Sequence, residues 1–192
     1  MLWHEEVLQF WFGGSSDEML AIPRDAWFKK DAVFDSIIRE RFLALVTALQ
    51  AGTLPPVLDD AHQALAWLLV ADQFPRNLFR GEARAFASDA LARDVAHAML
   101  AAGLDAQLPP VARWFCYLPL EHSERLDDQD ECVRRFCALP PDSPGYAGVV
   151  DYAGRHRDII ARFGRFPHRN AALGRASTAE ELAFLQQPGS SF

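Results

Sequence analysis

Apolar residues recur at three- and four-residue intervals along almost the whole chain, and no stretch alternates apolar and polar positions long enough to make a half-buried strand. Trp3, Val7, Phe10 and Trp11 share one face of a first helix, which Gly13 and Gly14 end. After Pro23, the stripe Phe34, Ile37, Ile38, Phe42, Leu45, Val46 and Leu49 predicts a long amphipathic helix closed by Gly52. A third helix is expected to start at Asp59 or Asp60 and to run through AHQALAWLLVADQF, apolar on nearly all sides and so central in the core. Pro75, lacking a backbone donor, is expected to stop it.

Farther along, Ser88 is placed to cap a fourth helix, DALARDVAHAMLAA, closed by Gly103. Pro109 and Pro110 suit the first turn of a fifth, VARWFCYL. Ser123 is read as the cap of a sixth, whose Leu126, Cys132, Val133, Phe136 and Leu139 point inward. Residues 145–163 make a seventh, with Tyr146, Val149, Val150, Ala153, Ile160 and Phe163 on its buried side. In STAEELAFL, Ser177 and Glu180 have the S-x-x-E spacing of a capping box. The sum is an all-α fold of about seven to nine helices with short loops, expected as a single helical domain over residues 1–192.

Composition adds limits. Half of the 192 residues are hydrophobic, enough for a sizeable core. The first residues, MLWHEEVLQF, lack a basic stretch and carry His4, Glu5 and Glu6 where a signal peptide would be uncharged. The longest apolar run, ALAWLLVA at 64–71, falls far short of the roughly 20 residues that span a bilayer. A cytoplasmic protein without a membrane partner is therefore expected. Cys116, Cys132 and Cys137 are odd in number and have no CxxC spacing, so neither a disulfide framework nor a thiolate zinc site is predicted. A net charge of −7 argues against nucleic acid as a partner. Lys29 and Lys30 are the only lysines, so nearly every cation is an arginine, with a planar fork suited to carboxylates and phosphates.

Those arginines gather where the chemistry is expected. DQFPRNLFRG at 72–81 and GRFPHRNAALGR at 164–175 each follow an apolar helix with Phe-Pro, then Arg-Asn, then an arginine beside a glycine. Two such corners facing each other would bind an anion. A second constellation, LEHSERLDDQDE at 120–131, crowds acids around His122 and is complementary in charge to the arginines of 155–175. We therefore expect Asp72, Arg76, Asn77, Asp128, Gln129, Arg165, Arg169 and Asn170 to line a polar cleft for a small phosphate- or carboxylate-bearing molecule. His122, Glu124, His156 and His168 are the candidate proton-transfer groups. Glu124 and Asp128, four apart on one helix face, approach a metal set with His122, but no second histidine stands at a defined spacing, and neither metal nor cofactor is predicted. Nucleophile, phosphate-loop and dinucleotide signatures are missing from the sequence. Two other uses compete with the cleft: a non-catalytic helical surface gripping an acidic peptide, and polar cement that only joins parts of the fold.

The stretches VLQFWF at 7–12, WFKKDAVFDSIIRERF at 27–42, LLVADQFPRNLFRGEARAFASD at 68–89, YLPLEHSERLDDQ at 117–129 and RFGRFPHRNAALGRASTAEELAFLQQPGSSF at 162–192 resemble the bacterial family called domain of unknown function 924. That resemblance spans essentially the full length. It implies an all-helical fold similar to tetratricopeptide arrays, and it brings no activity, cofactor or catalytic residue with it.

Overall fold

Continuous with the periodicity of the sequence, the computed structural model, which describes residues 2–190, is built from helices, with no strand among the described residues. The α-helical segments are α1 (Trp3–Phe12), α2 (Asp17–Leu20), α3 (Ala32–Gln50), α4 (Ala61–Leu68), α5 (Phe74–Leu78), α6 (Asp89–Ala101), α7 (Pro110–Glu121), α8 (Leu126–Cys137), α9 (Tyr146–Phe163) and α10 (Ala179–Leu185). No described helix is long and apolar enough to cross a membrane.

The axis of the fold is α4 and its continuation. Its residues 64–71 are fully buried, as the unbroken apolar run requires, and α1, α3, α6 and α7 pack around it. Phe74 from this axis meets Trp11 and Phe42, and Trp11 in turn meets Phe115, while Trp67 is fully buried; each such side chain contributes about 1.5–3 kcal/mol by burial. Beyond it, α6, α7, α8 and α9 pack each on the next in chain order. A separate small apolar cluster, Ile159, Ile160 and Phe166 with Phe163 and Phe184, holds the C-terminal segment.

Pro75 does not stop the third helix. Residues Leu69–Gln73 widen into a π-helical turn in which the Phe74 N–H donates to the Leu69 carbonyl, five residues back, and the helix resumes as α5 with Pro75 in its first turn. The wider turn relieves the clash of the proline ring with the carbonyl four residues earlier. It still leaves the Ala71 carbonyl without the N–H that residue 75 would have given. The Ser88 hydroxyl fills that gap at 2.6 Å. Ser88 stands at the N-cap position of α6 but makes no capping bond, its hydroxyl being committed to Ala71.

Four other local expectations are corrected. The sixth helix, α8, starts after Arg125 rather than after Ser123, whose hydroxyl donates to Asp128 at 2.7 Å, and Leu126 lies 40% exposed instead of inward. Ile37, at the edge of the α3 stripe, is exposed. The last capping box is Thr178 with Glu181, one residue later than Ser177 with Glu180. Ser177 accepts from Asn170 instead, and Glu180 accepts from Arg162. Finally, Glu124 precedes α8, so it does not share a helix face with Asp128.

Replacing Ser88 with Ala would strand the buried Ala71 carbonyl. Urea unfolding of Ser88→Ala should show a loss of about 1–3 kcal/mol. An unchanged midpoint would mean that the proline-bearing turn does not depend on this hydroxyl.

Candidate functional site

The π turn decides which way Asp72 and Arg76 face. Asp72 is buried and takes two side-chain donors, Nδ1 of His122 at 2.8 Å and Nε2 of Gln73 at 2.6 Å, with Nη1 of Arg76 as an ion-pair neighbour at 3.3 Å. Burial by itself would raise its pKa, but the Arg76 charge and the His122 contact overcome that and hold the carboxyl well below the usual range. An ionised Asp72 requires the proton of His122 to sit on Nδ1. Burial and the nearby Arg76 charge lower the pKa of His122, so the ring is neutral near pH 7, with Nε2 as its acceptor nitrogen.

Arg76 reaches farther, to Asp89 at the start of α6, pairing with both carboxylate oxygens at 3.0 and 2.9 Å. There it meets the arginine of the second Phe-Pro corner. After α9 the chain turns at Gly164, whose φ of +67° is left-handed, and a short 3-10 turn at Pro167–Arg169 carries Arg169 to the same carboxylate. Arg169 Nη1 donates to Asp89 at 3.3 Å and to the backbone carbonyl of His122 at 3.0 Å. Its guanidinium lies against Phe166 at 4.4 Å and Phe86 at 4.8 Å. With 7% of its side chain exposed, Arg169 keeps its Nε buried without a hydrogen-bond partner among the described residues. Desolvation and the like charge of Arg76 bring its pKa down to about 10, so it remains charged near neutrality.

Around this pair stand weakly basic imidazoles and one unusual acid. His156 donates from Nδ1 to the Tyr152 carbonyl at 2.9 Å, lies 6.4 Å from the His122 ring, and is pushed down to about 3, first by burial. His168, whose ring is 5.6 Å from that of Phe166, is pushed down to about 4 by burial and by Arg169. Glu121 sits 3.4 Å from His156 and is raised to about 8 by burial and by Asp72. At neutral pH the Glu121–His156 contact therefore joins two uncharged groups and is not an ion pair.

The remaining expected site residues are placed elsewhere. Asn77 donates to Asp35, which Arg80 also clasps. Asp128 is shared by Ser123 and His97, and Gln129 donates to the carbonyls of Glu121 and Ser123. Glu124 accepts both arms of Arg175 at 2.7 and 2.9 Å together with the Phe166 N–H; these bonds outweigh burial and keep it ionised. Arg165 closes on Glu181, and Asn170 on Ser177 and Glu181. Six of the expected residues, Asp72, Arg76, His122, His156, His168 and Arg169, thus come to one corner. Asp89, Glu121 and Phe86 belong there too and were not singled out for the site by sequence. Asp89 reads as an ordinary first-turn acid after Ser88, and Glu121 as one of a crowd of acids. Two surface cavities, of about 670 and 360 Å3, lie along α3 away from this corner, and only Asn77 among the expected residues lines either. Among the described residues no cluster of three or more His, Cys, Asp or Glu is arranged to hold a metal ion.

Every residue of this corner falls inside the span, residues 7–189, that matches the family model described as "Bacterial protein of unknown function (DUF924)". The chain belongs to the DUF924 family. Among solved structures this DUF924 chain is similar to the protein of unknown function ATU0120 from Agrobacterium tumefaciens, at 38% identity over 95% of this chain and 96% of that one, with a TM-score of 0.82. No curated protein matches it.

Glu121 gives the DUF924 chain a distinctive pH response. Its folded pKa lies near 8 against an ordinary 4.5, so the folded state holds a proton that the unfolded chain releases, and stability falls as pH rises through that window. The depressed histidines act oppositely, losing stability as pH drops below about 6.5. Between these, from pH 6.5 to 8, the Glu121 effect stands alone in this cluster. Urea unfolding across that interval should show wild type losing up to about 1.4 kcal/mol per pH unit and Glu121→Gln a flatter profile. Parallel profiles would show that Glu121 is already ionised at pH 6.5.

Proposed function

We propose that this protein binds a small anionic molecule, carrying a phosphate or carboxylate, at Arg169, with the Asp72–His122 pair supplying acid–base chemistry beside it. The observation that carries the reading is the buried Arg169 Nε without a partner. At three other arginines the Nε and Nη2 side of the fork meets a carboxylate: Arg80 on Asp35, Arg162 on Glu180, Arg165 on Glu181. On Arg169 only Nη1 is engaged among the described residues. An unmade hydrogen bond from a buried charged group is costly, and an arriving oxyanion would complete it. Because Arg169 also holds the His122 carbonyl, the fork and the imidazole are fixed to one another. A neutral ring whose Nδ1–H is held by Asp72 is suited to accept a proton at Nε2. His156, His168 and Glu121 would complete an acid–base surrounding that burial has detuned from water.

The cement reading has its own support. Arg162 and Arg165 spend their forks on Glu180 and Glu181, which ties α10 to the end of α9 and the turn after it, and Arg175 spends its on Glu124, which fastens the C-terminal segment to the loop before α8. We assign these three to the frame and Arg169 to the ligand.

Thermal unfolding with millimolar acetate, benzoate, inorganic phosphate and phenyl phosphate tests this division. At least one of the four should raise the wild-type Tm by about 2 °C or more. Arg169→Gln should abolish that shift, and Arg162→Gln should keep it. A lower baseline Tm for Arg169→Gln with the shift intact would assign Arg169 to cement as well.

A further inference from the structure

We infer that the anion taken at Arg169 is a single carboxylate, held side-on by Nε and Nη2, and not a phosphate. The inference rests on the ligand-binding reading above and adds the class of ligand to it. Charge is the first ground. The two guanidinium groups of the corner already face Asp72 and Asp89, with Asp89 Oδ2 lying 2.9 Å from Arg76 and 3.3 Å from Arg169, and the field of Glu124, itself paired with Arg175, also reaches Arg169. One further negative charge meets the unused half of one fork. A phosphate dianion would set two more charges beside Asp72 and Asp89, with a desolvation cost that grows as the square of the charge.

Shape permits a carboxylate: two parallel N–H groups match its two oxygens, the geometry this chain already uses between Arg165 and Glu181 at 2.6 and 2.8 Å and between Arg80 and Asp35 at 2.8 and 2.9 Å. The same fork also fits a phosphate, so the discrimination rests on charge and on the surroundings. The surroundings are the second ground. Arg169 is flanked by the Phe86 and Phe166 rings and by imidazoles that are uncharged near neutrality, surroundings that favour the less hydrated monoanion.

Titration calorimetry of the full-length protein with acetate, benzoate, inorganic phosphate and phenyl phosphate at neutral pH separates the outcomes. Benzoate or acetate should bind at least tenfold more tightly than either phosphate. Arg169→Lys, which keeps the charge and loses the fork, should weaken carboxylate binding at least tenfold. In 1H–15N spectra of wild type, the Arg169 Nε–H resonance, identified by its contact with the Phe166 ring, should move on adding the carboxylate and exchange more slowly with water. A phosphate binding as tightly as the carboxylates overturns the carboxylate assignment and leaves the ligand site standing. Carboxylate binding that neither moves this resonance nor responds to Arg169→Lys also overturns it. If none of the four probes binds, the ligand-binding reading itself falls.

Discussion

Two guanidinium groups, contributed by residues 76 and 169, are held side by side against their mutual repulsion because both reach the same oxygen of Asp89. Much else at this end of the molecule follows from that shared carboxylate. It fixes the start of α6 against the end of the central helix and fixes the turn after α9 against both. It also sets the electrostatic character of the neighbourhood. With Arg76 and Arg169 retained as cations, the adjacent imidazoles are disfavoured in their charged forms, while Asp72 keeps its charge and in turn makes Glu121 a poor place for another. Titratable groups on α7, α9 and the C-terminal turn are thereby driven to different protonation states within one small volume.

The shared carboxylate depends in turn on the π-helical turn. A regular α-helix through Leu69–Gln73 would meet the ring of Pro75 and either break or bend. The widened turn absorbs the proline, and the Ser88 hydroxyl takes over the hydrogen bond that the proline cannot make. Since Ser88 directly precedes Asp89, the contact that repairs the helix also delivers the carboxylate to Arg76. Backbone repair and charge pairing are thus accomplished by adjacent residues.

Much of the helical framework was legible in the spacing of apolar residues, because a stripe such as Phe34, Ile38, Phe42, Val46 and Leu49 has only one economical way to be buried. Errors arose where a local signal had a distant competitor. Pro75 reads as a stop unless Ser88 is known to stand beside it. Ser123 and Ser177 read as caps because their hydroxyls are local acceptors, but Ser123 turns to Asp128, and Ser177 yields to Thr178, whose hydroxyl accepts from the Glu181 N–H. The repeated Phe-Pro and arginine pattern singled out Arg76 and Arg169, whose guanidinium groups meet at the carboxylate of Asp89. The asparagines of the same pattern could not be placed: their partners, Asp35 for Asn77 and Ser177 with Glu181 for Asn170, lie in different elements, α3 and the segment around the start of α10. No spacing rule connects Asp89 to residues 13 and 80 positions away.

That last separation bears on how the molecule is made. A contact between residues 89 and 169 closes a loop of 80 positions, and loop closure costs entropy before any ion pair can repay it. The intervening α6, α7, α8 and α9 each pack on the next in chain order, so the loop is shortened by stepwise local folding before its ends meet. Loop-closure entropy thus favours docking of Arg169 after those helices have packed. Arg169 adds to the low proton affinity of His156 and His168 only once that loop is closed, whereas Asp72 and Glu121 owe theirs to burial and to partners between residues 72 and 122.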